Sequence, residues 1–383
     1  MTGDVPLTAR RLNRATLARQ LLLEREPLPA VDAVRRVVAL QAQEPASPYI
    51  ALWNRVAGFD ATDLDAAYKR HAIVKATLLR ITLHAVTAED YPAFHHAMAS
   101  TLRGSRLHDR RYTDTGLTVE DADAMLPDVI AFMAEPRTNA DVLAWLDERF
   151  GVSEARAWWA LRTFAPVVHA ATGAAWSHGP RPAYVAAPTP PFDGDPAASV
   201  QWLVRRYLEG FGPASPQDLA QFTLLRVPVI RAALDAIAGD LVTHAAADGR
   251  QLYDVAGATL PDDDTPAPPR LMAMWDSTLL AYADRSRVIP QEYRPVVIRR
   301  NGDVLPTLLV DGYVAGVWRP LGDGIEVTAF RKLRKAQWDA VAGEARALLA
   351  FLADRDPQVY RRYGRWWTSI TGDETRVLGT RSR

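Results

Sequence analysis

Between residues 29 and 43, apolar positions recur at three- and four-residue spacing. Val31, Val34, Val37 and Val38 form one stripe, as on a helix with a single buried face. Gln41 falls seven residues after Val34 and continues the stripe with a polar amide. Pro45 disfavours helical geometry at Glu44, so the pattern predicts a helix over 29–43 that stops there. Residues two apart face different sides of a helix but the same side of an extended chain. Gln41 and Gln43 therefore have two readings. One is a buried amide satisfied by backbone. The other is a pair converging on a small object such as a water.

The surrounding pattern is mostly helical, with abrupt changes of period. Residues 7–23 read as a basic helix. Ser47-Pro48 reads as an N-cap followed by proline at the first helical position; the helix it opens carries Tyr49, Ile50, Leu52, Trp53 and Val56. A further helix is expected over 62–70, capped by Thr62 or Asp63. Residues 72–87 are rich in β-branched side chains and read as a hairpin. Helices followed by a hairpin outline a winged helix, in which the second helix of a helix-turn-helix can enter the major groove of DNA.

The order recurs. Asn139 caps DVLAWLDERF, Gly151 ends it, and Ser153 caps a helix expected to run through 170. The hairpin AAWSHGPRPAYVAA follows, with Gly179-Pro180 at its turn. After a helix over 200–209, Ser215 caps QDLAQF and a helix spans 229–237. Strands LVTHAA and QLYDVA meet at Asp248-Gly249, a hairpin turn signal. Proline-rich linkers lie at 188–196 and 257–269. From Val288 onward Asn301-Gly302, Asp311-Gly312 and Asp323-Gly324 punctuate a β-meander or small barrel, followed by a helix over 332–353 and the tail RRYGRWW.

The expected fold class is therefore α+β. Region 1–115 holds the first winged helix and the glutamine pair. Regions 116–197 and 198–258 hold the second and third, and 270–383 is β-rich with a helix and a basic aromatic tail.

Composition narrows the function without naming it. The chain has 383 residues, 48% hydrophobic and 23% charged, with zero formal net charge. No apolar run is long enough for a membrane span, and the early arginines do not suit a signal peptide. The absence of cysteine excludes disulfides and thiolate metal sites, which points to the cytoplasm. Zero net charge argues against a nucleic-acid-coating tail but permits a basic groove offset elsewhere. Positive charge is almost all arginine, which follows from GC-rich coding and also suits phosphate. Arg103, Arg106, His108, Arg110 and Arg111 crowd into nine residues. That stretch reads as a solvated loop or a phosphate-contacting segment. The tail's Arg361, Arg362, Arg365, Trp366 and Trp367 suit either nucleic acid or packing on the body.

Familiar catalytic signatures are absent. There is no glycine-rich phosphate loop, no HExxH and no GxSxG. His95 and His96 are adjacent and read as surface residues. His84 reads as a structural residue of a wing strand, Asp276 as a carboxylate in an apolar approach, and Asp284-Arg285 as an ion-paired turn.

Five stretches, LQAQEPASPYIALWNRV (40–56), LLRITLHAV (78–86), GPASPQDLA (212–220), MWDSTLLAYADRSRV (274–288) and LPTLLVDGYVAGVWR (305–319), resemble in order and spacing the AlkZ/YcaQ family of winged-helix DNA glycosylases. The resemblance covers nearly the whole chain. It implies three tandem winged helices with a β-rich C-terminal part. The family motif is glutamine, a hydrophobe, then glutamine or aspartate. Gln41-Ala42-Gln43 matches the two-glutamine, AlkZ-like branch, associated with self-resistance to DNA-alkylating natural products.

The resemblance implies Gln41 and Gln43 as catalytic residues of a monofunctional glycosylase without metal or cofactor. It further implies excision of bulky N7-alkylguanine from double-stranded DNA and, in some members, unhooking of interstrand crosslinks. Arg80, His84 and Asp276 lie in matching stretches and are candidates for facing DNA or the lesion; the structural alternatives are an ion pair for Arg80 and Asp276 and a wing-strand contact for His84. Arg103, Arg106, Arg110 and Arg111 are candidates for holding the backbone. A bacterial, cytoplasmic monomer that joins the nucleoid when DNA-bound is expected. The competing class is a non-catalytic winged-helix regulator or drug-sequestering DNA binder.

Overall fold

The computed structural model describes residues 6–379. Three groups of helices each lead into a small antiparallel sheet. In the first, helices Ala9–Arg19, Ala30–Val37, Ser47–Trp53 and Ala61–Lys69 precede strands β2 (Ile73–Thr77) and β3 (Leu83–Thr87). A two-residue strand, β1 (Leu40–Gln41), joins them in the order β1-β3-β2. Asp60, rather than Thr62 or Asp63, caps the fourth helix by accepting from the Thr62 amide. Ser47 does not cap its helix; its hydroxyl pairs with Tyr360 instead.

In the second group, helices Val119–Phe132, Asn139–Phe150 and Ala155–Phe164 are followed by β5 (Val167–Ala170) and β6 (Ala183–Ala186), flanked by β4 (Arg137–Thr138). Thr138 caps with a reciprocal bond to Asp141. Asn139 instead accepts from the Trp158 indole at 2.9 Å. Ser153 leaves the capping position to Glu154, which makes no side-chain bond there. The expected helix to 170 stops at Phe164, because Pro166 forces Ala165 out of helical geometry. The first hairpin arm is thus 167–170, and Gly179-Pro180 lies in a long loop between the arms.

In the third group, helices Pro196–Phe211, Pro216–Thr223 and Val227–Ala236 lead to β7 (Leu241–Ala245) and β8 (Gln251–Val255). Here the expected cap forms: Ser215 and Asp218 make a capping box.

The C-terminal region departs further from the reading. Residues 285–297 form short helical turns around Pro290 and Pro295, not strands. Strands β9 (Arg270–Leu271), β10 (Thr307–Val310), β11 (Tyr313–Leu321), β12 (Gly324–Ala329) and β13 (Glu374–Leu378) make an open sheet of order β13-β12-β11-β10-β9, so no barrel closes. Helix Lys335–Ala353 covers it with Trp338, Val341, Ala345 and Leu348.

Two apolar cores hold these parts together. One joins the first helices to the C-terminal sheet through Val34, Val37, Leu40, Tyr49, Leu308 and Trp318. The other joins all three helix–hairpin groups through Val38, Phe94, Trp158, Tyr207 and Phe222. Val37 and Val38 are consecutive yet belong to different cores. The chain crosses the seam at that point, immediately before Gln41.

The histidines shape the pH response of this fold. Burial pushes His84 and His178 down to about 3 and His95 to about 4, and holds His169 well below its ordinary value. A neutral buried imidazole stays unprotonated while its unfolded counterpart takes a proton below about pH 6.5. The histidine contribution to stability is therefore constant above pH 7 and falls from pH 6.5 towards 3. Each such histidine steepens the slope by up to about 1.4 kcal/mol per pH unit. Urea midpoints between pH 5 and 8 check this; a midpoint that does not fall at acid pH contradicts it. His95 and His96 are half-buried rather than on the surface. They bond the Phe164 carbonyl and the Ser199 hydroxyl of later groups.

Candidate active site

The segment carrying the glutamines is set by a strained turn. Val38 has φ 74° and ψ −55°, and the Ala39 amide donates to the Val37 carbonyl at 2.9 Å. This is the rarer form of γ-turn. A β-branched residue adopts it only where packing over-determines it. Gly210 supplies the room, since a Cβ there would meet Val38 Cγ2 at 2.6 Å. Ser277 donates to the Ala39 carbonyl at 2.9 Å. The helix therefore ends at Val37, six residues short of the reading, and Leu40-Gln41 runs extended against β3, with Gln41 opposite His84.

The two amides have different partners. Gln41 is buried and its oxygen accepts from Arg80 Nη2 at 2.6 Å. Arginine has no acceptor, so the amide orientation is fixed with the oxygen towards Arg80. The same nitrogen lies 3.2 Å from His84 Nε2, while His84 Nδ1 lies 3.0 Å from the Thr82 carbonyl. Neutral His84 thus donates to Thr82 and accepts from Arg80. Burial lowers Arg80 only to about 9, so it remains charged. It rests 4.7 Å over the Phe222 ring. Arg80 and Ile81, at φ 53° and 57°, form a left-handed wing tip that turns the guanidinium inward. Such backbone costs roughly 1–3 kcal/mol per residue and gathers where function requires a fixed side chain.

Gln43 is exposed in a bend beyond β1. Its oxygen meets the Leu83 amide at 3.4 Å, long for a hydrogen bond and readily exchanged. It lines a cleft of about 190 Å³ with Thr77, Leu83, Arg106, Trp159, Arg162 and Tyr184. No carboxylate is among the lining residues. Arg106 donates to Thr163 Oγ1 at 3.0 Å and lies 4.4 Å over Trp159. Arg111 lies 4.1 Å over the same ring and pairs with Asp109. Arg162 donates to the Tyr184 hydroxyl at 2.5 Å.

The basic cluster is not a loop. It covers the end of helix Tyr91–Leu107 and a short helix, Arg110–Thr113. Only Arg106 of its arginines lines the cleft. Arg103 pairs with Asp123 at 2.7 Å, and the Arg110 side chain, 91% exposed, lies 3.4 Å from Asp114. Asp276 does not face DNA. It is fully buried in an ion pair with the equally buried Arg55, because an apolar approach leaves a carboxylate no alternative to a charged partner.

The second group's contribution, Trp159, Arg162 and Tyr184, escaped the sequence reading. Trp158 and Trp159 did carry a signal. Adjacent helical residues face different sides, so one tryptophan of the pair had to leave the core.

Comparison with known proteins places this geometry. The family model for AlkZ-like DNA glycosylases matches residues 34–351. The chain belongs to this family. A Streptomyces sahachiroi protein named interstrand DNA cross-link repair glycosylase is 24% identical over 363 residues, 86% of this chain and 92% of the relative. The solved structure of the Streptomyces sahachiroi DNA glycosylase AlkZ superimposes with a TM-score of 0.78 at 21% identity, covering 92% of this chain and 98% of that one. That similarity shows the AlkZ fold: tandem winged helices beside a mixed C-terminal region. As an AlkZ-like DNA glycosylase, the chain acts on DNA. Among the described residues no helix is long and apolar enough to cross a membrane, and none groups three His, Asp or Glu side chains as a metal site needs.

Proposed function

We propose that the chain hydrolyses the N-glycosidic bond of bulky, cationic N7-alkylguanine in duplex DNA, and unhooks interstrand crosslinks made through such bonds. The observation carrying this reading is the bare amide of Gln43 in an arginine-walled cleft without a carboxylate. N7 alkylation puts positive charge on the base and weakens C1′–N9. As that bond breaks, its electron pair neutralises the base, so no general acid is required. Water then forms the new bond at C1′ and gives its proton to solvent.

A glutamine has no useful pKa. Its carbonyl dipole orients the water and favours the developing oxocarbenium charge. Gln43 takes this role, since the Gln41 oxygen is already engaged by Arg80. Gln41, Arg80 and His84 then support the floor of the site. Arg106, Arg111 and Arg162 offer phosphate contacts, with Arg103 and Arg110 further along the same face. The cross-link repair named for the Streptomyces relative supports the crosslink part. The regions 1–115, 116–197, 198–258 and 270–383 serve on this reading as three DNA-binding modules and a bracing sheet.

Single-turnover assays on duplexes carrying N7-alkylguanine, uracil or unmodified purine, developed with alkali, test the proposal. Abasic sites are expected only at the cationic lesion. Uracil release at a comparable rate would sink the mechanism, and no abasic product from any cationic adduct would favour a non-catalytic DNA binder.

A further inference from the structure

The residue after Gln43 is tied to the far end of the chain. Glu44 Oε2 accepts from Arg362 Nη2 at 2.5 Å and from the Tyr363 hydroxyl at 3.2 Å, across more than three hundred residues of sequence. Arg362 Nη2 also donates to Tyr363 Oη at 2.6 Å, so the three groups form a closed triangle. Three residues beyond Glu44, Ser47 Oγ shares a 3.0 Å hydrogen bond with Tyr360 Oη, which also accepts from the Met274 amide at 3.2 Å. Both ends of the bend that follows Gln43 are therefore fastened to one short stretch, Tyr360–Tyr363.

That stretch is itself anchored. Tyr360 and Tyr363 are buried, at 6% and 7% exposure. Tyr363 packs edge-on against Trp275. Downstream, Arg365 and Trp366 both donate to Asp303. Upstream of Gln43 the buried Ala42 amide donates to the Leu83 carbonyl at 2.7 Å; downstream these ties hold the chain, and the Gln43 side chain itself has its 3.4 Å contact to Leu83. The family match ends at residue 351, so the anchoring segment lies beyond it.

We infer that Arg362 and Tyr363 are positioning residues, which through Glu44 hold Gln43 at the reacting carbon. The inference rests on the reading of Gln43 as the water-orienting residue. Misplacing a catalytic group by about 1 Å can slow a reaction on the order of 100-fold, whereas uniform loss of substrate binding leaves the rate at saturation unchanged.

The experiment measures single-turnover excision at saturating enzyme, duplex affinity and its salt dependence for Arg362→Ala, Arg362→Lys, Tyr363→Phe and Gln43→Ala in the full chain. Arg362→Ala is expected to lower the excision rate roughly 10- to 100-fold with affinity and salt slope unchanged. Arg362→Lys should recover most of it, since one nitrogen makes both contacts. An unchanged rate overturns the inference. So does a loss confined to affinity with a shallower salt slope, which would make Arg362 a phosphate contact. If Arg362→Ala does not fold, the decision passes to Tyr363→Phe, which removes one hydroxyl: a slower rate supports the inference and an unchanged rate overturns it. A normally active Gln43→Ala protein removes the underlying reading itself. An inactive Gln43→Ala beside an unaffected Arg362→Ala overturns only the positioning role.

Discussion

Gln43→Ala is expected to lower single-turnover excision of an N7-alkylguanine by roughly 10²- to 10³-fold, the usual loss when one preorganised dipole aimed at developing charge is removed. Duplex affinity should hold, because Gln43 is a neutral side chain and the phosphate contacts proposed for this cleft are the arginines Arg106 and Arg162 that line it. Gln43→Asp should keep activity on cationic lesions, since a carboxylate oxygen also orients water and favours positive charge at C1′. Gln41→Ala should act differently. It deprives Arg80 of its 2.6 Å acceptor and leaves a buried guanidinium with His84 and a long contact to the Phe222 carbonyl. Its signature is lost stability together with lost rate, against lost rate alone for Gln43→Ala. Equal stability losses in the two variants would argue against this division of labour.

This division could not be read from spacing. The sequence pattern treated the glutamines as equivalent and the preceding helix as continuous to Gln43. Nothing local marks Val38 as the break: a β-branched residue resists positive φ, and the turn exists because Gly210, on a helix of the third group, leaves space for it. Pro45 was the visible stop signal and acts too late.

Elsewhere local chemistry sufficed. The Ser215–Asp218 box formed as its spacing indicates, and Asp311-Gly312 turns between β10 and β11 with both φ values positive. Asn139 failed as a cap because Thr138, one residue earlier, takes the position with Asp141; Ser153 lies one residue before its helix's N-cap, Glu154, which makes no side-chain bond there. Trp159 and Arg162 reached the cleft through the packing of one helix group on another, which no window of sequence contains.

Asp276→Ala is expected to destabilise the protein by about 3–5 kcal/mol, a large part of the roughly 5–15 kcal/mol by which folded domains persist. Both side chains of the Arg55–Asp276 pair are fully buried. Asp276 accepts two 2.8 Å bonds from Arg55 and a 3.0 Å bond from the Thr278 amide. Alanine leaves the guanidinium charge in place without its counter-ion. The remaining contacts, to Ala51, Thr278 and a 3.4 Å contact to Gln20, are to neutral oxygens. Replacing both partners with apolar residues of similar volume should cost much less than either single change, since no charge is then stranded. Urea midpoints of the singles and the double measure this coupling. The outcome also separates the two readings of Asp276. A carboxylate facing DNA repels phosphate, so its removal would strengthen binding and leave stability alone. A buried counter-ion predicts the reverse: a lowered midpoint with unchanged affinity per folded molecule. Ser277, next in the chain, holds the Ala39 carbonyl just before Gln41, so slower excision should accompany the lowered midpoint, by less than Gln43→Ala produces.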